Sequence, residues 1–293
     1  MLETKRLPSW FKQEIPDMEK IREMKNLFRE TGLHTVCESA HCPNIGECWG
    51  RGTATFMILG DICTRSCRFC AVPSGKALQI DRNEPHNVAR AIQKLNLNYV
   101  VITSVARDDL PDEGAGHFAK TIFEIRNLLP EVKIEVLIPD LSGELENLKV
   151  VTNAKPEVIS HNIETISRLS KKVRPQADYV RSLRVLKTIK QLDPGIFVKS
   201  SFMVGLGEMY PEIIALMKDL INAGCDILTI GQYLAPSQSK RHIPVENFVT
   251  PEEFESYRRL GLEMGFKYVS SGPLVRSSYI ADEGYKECLV SIH

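Results

Sequence analysis

An α/β fold, a partial (β/α)6 barrel of the TIM type with extensions at both ends capping its mouth, is predicted by two features of the 293-residue sequence. Six short apolar runs have strand length, and the stretches between them carry apolar residues at helical spacing. Regular alternation of this kind implies a parallel sheet with crossover helices. Six repeats suit an open barrel better than a closed eightfold one; an open doubly wound sheet is the alternative. With no low-complexity segment, long linker or repeat, the chain reads as one globular unit. Its parts are an N-terminal extension (1–52), a barrel (53–232) and a C-terminal extension (233–293).

The first element is a helix over residues 17–31, with Asp17 as cap, Ile21, Met24 and Phe28 on one face and Gly32 as stop. Strands are expected at 55–59, 99–103, 134–138, 158–160, 197–204 and 227–230. Phe118, Ile122, Ile125 and Leu129 share one helical face, as do Leu183, Leu186 and Ile189. A third helix opens at Pro211, closes at Gly224 and carries Ile213, Met217 and Leu220. Lysine plus arginine equals aspartate plus glutamate at 37 each, which argues against nucleic acid or an anionic membrane as a partner of the whole surface. The apolar runs are far shorter than the roughly 20 residues of a membrane span, and the amino terminus has no signal core, so a cytoplasmic setting is expected.

Six of the eight cysteines crowd between Cys37 and Cys70, and clustering in a cytosolic chain favours metal over disulfides. Cys63, Cys67 and Cys70 form C-x3-C-x2-C just beyond the first strand, at the barrel mouth where such enzymes do chemistry. Three thiolates suit an iron-sulfur cubane with one open iron; structural zinc, completed by a fourth cysteine elsewhere, is the alternative. With an aromatic residue, Phe69, before the last cysteine, the spacing resembles the signature of radical S-adenosylmethionine (SAM) enzymes.

Cys37, Cys42 and Cys48 form a second set, C-x4-C-x5-C. Further stretches read R-G-T-A-T-F-M-I-L-G-D-I-C, T-S-V-A-R-D-D-L-P-D, H-N-I-E-T, V-G-L-G-E, G-Q-Y-L-A-P and G-P-L-V-R-S-S-Y. Together they resemble the lipoyl synthase family over roughly residues 30–282. The resemblance implies two 4Fe-4S clusters and a sulfurtransferase activity that inserts sulfur at C6 and C8 of a protein-bound octanoyl chain. Each of two SAM molecules would yield a 5′-deoxyadenosyl radical. Cofactor chemistry is required because no side-chain base removes an alkane hydrogen. The auxiliary cluster would supply the sulfur, held by Cys37, Cys42, Cys48 and Ser278 of Arg276-Ser277-Ser278-Tyr279. Implied partners are an octanoylated lipoyl carrier domain or glycine cleavage H protein, and an electron donor such as ferredoxin or flavodoxin. The chain departs from the family at Glu113, where glycine is frequent, and at Ile280, where histidine is.

Resemblance and position together suggest SAM contacts from Thr103, Ser104, Asn162, Glu164 and Gln232, with a loop-ordering role as the competing reading for each. The glycines of Val204-Gly205-Leu206-Gly207-Glu208 are expected to let backbone approach SAM. Lys171-Lys172-Val173-Arg174 faces an acidic carrier or is a solvated helix end. Cys225 and Cys288 are read as structural or free thiols, and His41 as a neighbour of the cluster or exposed. A biotin-synthase-like sulfur inserter and a non-catalytic iron-sulfur or zinc protein are the rival functions.

Overall fold

Parallel strands laid side by side in chain order define the architecture, seen in a computed structural model that describes residues 7–11, 18–40, 42–50 and 53–290. The order of elements is α1 (Met18–Thr31), β1 (His34–Thr35), α2 (Val36–Ser39), α3 (Ile45–Gly50), β2 (Thr55–Ile58), α4 (Glu84–Lys94), β3 (Tyr99–Ser104), α5 (Ala115–Leu128) and β4 (Lys133–Leu137). There follow α6 (Leu145–Asn153), β5 (Val158–Ser160), α7 (Ser167–Val173), α8 (Tyr179–Leu192), β6 (Phe197–Val204), α9 (Tyr210–Asn222), β7 (Ile227–Gln232), α10 (Pro251–Met264), β8 (Tyr268–Gly272) and α11 (Ala281–Val290). Asp17 and His41 lie outside the described residues.

Strands β2 to β8 pair in parallel and β1 joins β2 antiparallel, in the order β1-β2-β3-β4-β5-β6-β7-β8. A doubly wound sheet reverses its strand order at a switch point. This order never reverses, so the sheet is a barrel left open between its edges. All six expected strands are present. The sheet also continues past residue 232 through α10 and β8, and gains β1 at the other edge.

Alternation along each strand divides the core in two. Val100, Ile102, Ile134, Val136, Ile159 and Val198 face outward onto Ile92, Phe118, Ile122, Leu186, Ile189 and Leu220 of the helices, all fully buried or nearly so. The helices stop where local chemistry dictates: Pro211 lies in the first turn of α9, and Gly224, at φ 84°, follows its end. The inner face is covered at one end by α11. Its Ala281, Tyr285 and Cys288 pack on Tyr99, Val158, Phe197, Ile227 and Tyr268, each the first residue of its strand. Helix α11 therefore plugs the foot of the barrel, opposite the mouth. Among the described residues no helix is long and apolar enough to cross a membrane.

Just above the plug the barrel interior holds a buried ion pair. Lys199 Nζ lies 2.8 and 3.1 Å from the two carboxylate oxygens of Glu135, which also accept hydrogen bonds from Tyr99 Oη (2.8 Å) and Ser160 Oγ (2.9 Å). Both side chains are about fully buried, at 3% and 2% exposure. Burial and the Glu135 carboxylate push the Tyr99 phenol well above its ordinary pKa, so it stays a donor. A pair of this kind is weak evidence of stability in itself, but removing one partner strands a charge in low dielectric. Lys199→Met should therefore lower the unfolding free energy by about 3–5 kcal/mol in denaturant titration. Lys199→Met combined with Glu135→Met should recover a large part of that loss. A single-variant cost below about 1 kcal/mol would show that Glu135 is not held as a paired charge.

Candidate active site

The mouth loop begins with an unusual turn. After β2, Leu59 adopts φ 69° and Gly60 φ 88°. A leucine in the left-handed region is strained, and both polar groups of Leu59 are clamped. Its N–H donates to Glu84 Oε2 at 2.8 Å, and its carbonyl accepts from Arg107 Nη1 at 3.4 Å. Glu84 is itself fixed by His117 Nε2 at 2.7 Å. The turn aims the following loop, with Cys63, Cys67 and Cys70, across the carboxyl ends of the strands.

Arg65, between the first two cysteines, holds that loop down. Its guanidinium donates to Asp108 from Nε and Nη2, at 2.6–3.0 Å, and Nη2 lies 2.7 Å from Asp140, whose other oxygen accepts from Arg181 at 2.8 Å. The backbone adds Thr64 N to Ala106 O (3.1 Å) and Arg68 N to Val173 O (2.8 Å). A segment of the C-terminal extension presses on the loop's outer side. Arg241 donates to Val72 O (2.8 Å) and Ser74 Oγ (2.9 Å), and His242 Nε2 meets Cys70 O at 3.1 Å.

Cys63 Sγ accepts backbone N–H groups of Arg65 (3.4 Å) and Ala106 (3.3 Å). Burial pushes the Cys67 thiol up to about 12 and raises Cys70, with the Glu164 carboxylate nearby adding to both and Arg174 opposing it at Cys67. Both are thiols until a metal displaces their protons. Among the described residues, no three His, Cys, Asp or Glu side chains converge on a single metal ion. A cubane, by contrast, takes thiolates spread around a body several atoms wide.

The five expected SAM contacts part ways here. Ser104 Oγ and Asn162 Oδ1 are buried without a hydrogen-bond partner among the described residues, which fits a polar ligand at the mouth. Glu164, at φ 67°, is locked to β6 through Glu164 N to Ser201 O (3.0 Å) and Met203 N to Glu164 O (2.9 Å), and burial raises its carboxyl pKa. Thr103 donates to Leu137 O at 3.0 Å. Gln232 is fully engaged elsewhere: Nε2 donates to Tyr233 O and Asn247 O, and Oε1 accepts from Val249 N. It orders a loop. The Gly205 expectation is corrected in the same way, because a Cβ there would lie 2.0 Å from Gln232 Nε2 and 2.7 Å from Asn247 O, while Glu208 takes the N–H groups of Gly205 and Leu206 at 2.9 Å each. Arg174 is likewise no surface charge, since it is buried and donates to Ile163 O at 2.9 Å, while Lys171 caps Ala177 O at 3.0 Å.

The second thiol set lies at the other end of the barrel. Cys37, Cys42 and Cys48 line a cavity with Thr55, Tyr99 and Val101 at the amino-terminal ends of β2 and β3, and with Arg276, Ser278 and Tyr279 of the segment after β8. Thr55 Oγ1 donates to Ser278 Oγ at 2.9 Å, and Asn44 Nδ2 to Leu274 O at 2.6 Å. Both chain ends do converge on one site, but at the foot of β2, because α3 runs directly into that end of the strand. Residues 240–243 of the C-terminal extension reach the mouth loop instead. Burial, then the neighbouring thiols, pushes Cys37 up to about 11 and Cys48 up to about 12. Ser278 lines the cavity and Ser277 does not. Cys225 and Cys288 are buried away from both sets.

The fold is similar to that of methylornithine synthase, with a TM-score of 0.52 and 13% identity over 87% of this chain and 79% of that one. It is also similar to that of a maturase of the FeFe-hydrogenase, with a TM-score of 0.57 and 15% identity over 87% and 57%. Residues 57–221 match the Radical SAM superfamily, the class that the open barrel and its mouth cysteines define. Residues 2–42 match the N-terminal domain of lipoyl synthase of the Radical SAM family. The lipoyl synthases of Caldanaerobacter subterraneus subsp. tengcongensis and Rubrobacter xylanophilus are each 55% identical, over 96% and 94% of this chain and 98% and 85% of their own. That of Caldicellulosiruptor saccharolyticus is 50% identical over 98% and 99%. The chain belongs to the lipoyl synthase family.

His161 sets the backbone that carries Asn162 and Glu164. Its Nδ1 meets Ile138 O at 3.0 Å and its Nε2 meets Ser182 Oγ at 2.9 Å, so Nδ1 carries the proton of a neutral ring. Burial, with Arg174 alongside, depresses it to about 4. An unfolded histidine takes up its proton near 6.5, so the unfolded state binds more protons between those values. Stability is then complete above about pH 6.5 and falls as pH drops through the window, by up to about 3 kcal/mol. In urea titrations at pH 7 and pH 5, the parent should lose more stability than His161→Gln. An equal loss in both would place the acid sensitivity elsewhere.

Proposed function

We propose that this chain is a lipoyl synthase that inserts two sulfur atoms, at C6 and C8, into an octanoyl chain carried by a lipoyl domain or a glycine cleavage H protein. Membership of the lipoyl synthase family supports the activity. The observation that carries the detailed reading is the pair of three-thiol sites at opposite ends of one barrel, joined by the four residues of β2.

When bound, SAM and a 4Fe-4S cluster supply the radical that removes hydrogen from an unactivated carbon, and a second 4Fe-4S cluster supplies the sulfur. Cys63, Cys67 and Cys70 would hold the first, leaving an iron open to SAM at the mouth. Ser104, Asn162 and Glu164 offer its polar groups partners there, and Thr103 shapes the wall beneath. Cys37, Cys42, Cys48 and Ser278 would hold the second. A hydroxyl oxygen is a harder, poorer partner for iron than a thiolate, which suits a ligand that has to let go. A low-potential donor such as ferredoxin or flavodoxin would provide electrons, in the cytoplasm, where clustered thiols stay reduced.

Anaerobic turnover with an octanoylated carrier peptide, SAM and reductant tests this reading. After thiol reduction the product should be heavier by two sulfur atoms, and product with one sulfur would indicate a different activity. Alanine at Cys63, Cys67 or Cys70 should abolish release of 5′-deoxyadenosine and all sulfur insertion. Alanine at Cys37, Cys42 or Cys48 should keep that release and abolish the thiolated product. Equal loss of both activities in folded protein that retains the mouth cluster would refute this division of labour.

A further inference from the structure

The chain between β8 and α11 is a short strap anchored at both ends. At one end Val275 N donates to Gly272 O at 3.1 Å, and a Cβ on Gly231 would lie 2.1 Å from Val275 O, so the strap rests directly on β7. Arg276 Nη1 adds a bond to Gln232 O at 3.2 Å. At the other end Ala281 is buried in the plug. Ser278 sits in the middle.

The residue after it is tied to the cysteine segment. Tyr279 Oη lies 3.0 Å from each carboxylate oxygen of Glu47. Glu47 directly precedes Cys48 on α3, as Ser278 directly precedes Tyr279, so one contact between residues 232 apart in sequence sets the spacing of two candidate ligands. Glu47 is exposed, so water competes for its oxygens and the contact opens at modest cost. On the far side Ile280 has φ 46°. A β-branched residue in that region persists only while its surroundings hold it there.

We infer that Tyr279 and Glu47 form a latch that holds Ser278 at the cavity of Cys37, Cys42 and Cys48, and whose opening lets Ser278 withdraw while both ends of the strap stay anchored. The inference rests on the reading of Ser278 as fourth ligand of the second cluster. Tyr279 and Glu47 are positioning residues, since each acts through its neighbour.

The full chain, loaded with both clusters and free of substrate, is exposed to a ferrous chelator while iron loss is timed and Mössbauer spectra are recorded. Tyr279→Phe and Glu47→Ala should each speed loss of the most labile iron about five- to tenfold, the size of one ordinary hydrogen bond exposed to water. Glu47→Gln, which keeps an acceptor oxygen, should fall between Glu47→Ala and the parent. The double variant Tyr279→Phe/Glu47→Ala should be no faster than either single one. Ser278→Ala should itself be fast and change the spectrum of one iron, and adding Tyr279→Phe to it should change nothing further. Tyr279→Phe at the parent rate beside a fast Ser278→Ala overturns the latch, as does an additive double variant. Ser278→Ala with unchanged rate and spectrum overturns the underlying reading of Ser278.

Discussion

The separation imposed by β2 governs the rest of the molecule. Its four residues are buried and extend over roughly 13 Å. One thiol set precedes the strand and the other follows it, so neither can approach the other without breaking the first parallel pairing, Thr55 to Val101 through Ile58 to Ser104. A substrate that visits both ends has to lie along the barrel interior. Helix α11 packs on the first residues of five strands at the end that holds the second set.

A fixed separation has value only if each end is rigid, and the two ends are made rigid by different means. The mouth loop is tied by charge: Arg65 is 8% exposed and is answered by Asp108 and Asp140. Opposing carboxylates raise the Arg65 guanidinium pKa against its burial, so the loop keeps a cation at its centre under all ordinary conditions. The foot is ordered by packing and a link across the chain: Trp49 against Phe28, and Thr55 to Ser278 of the strap. Such ordering before any cluster binds reduces the conformational entropy lost on binding. The proposed clusters would then chiefly have to displace protons from thiols such as Cys48 and Cys67, which burial keeps neutral.

What the sequence made legible follows from how locally each feature is encoded. The run at 99–103 is continuous and apolar enough to read as a buried parallel strand, and it proved to be one. Strand β8 was missed because Tyr268-Val269-Ser270-Ser271-Gly272 has a single buried apolar residue, and β1 is two residues long. Cysteine spacing exposed the thiol sets, because the three thiols of each set lie within 12 residues of one another in sequence. Their supports are not local. Glu84 reaches Leu59 across 25 residues, Arg65 reaches Asp108 across 43, and Thr55 reaches Ser278 across 223. Gln232 misled for a related reason: the end of a barrel strand suits a ligand contact and a loop anchor equally well, and only Asn247 and Val249, distant in sequence, decide between them.

The two departures from the family pattern gain a physical meaning from the backbone. Glu113 and Ile280 both have positive φ, 50° and 46°, where glycine would be free of strain. At Glu113 the strain is offset by what its side chain adds. The carboxylate accepts from Ser142 Oγ and lies 3.7 Å from Arg65 Nη2, so it joins Asp108 and Asp140 around the cation that pins the mouth loop. A glycine there would ease the turn and contribute no charge. Ile280 brings no comparable partner, and its strain sits beside the serine proposed to leave its ligand position. One substitution thus places an extra carboxylate where the loop has to stay, and the other places strain where the chain is proposed to move.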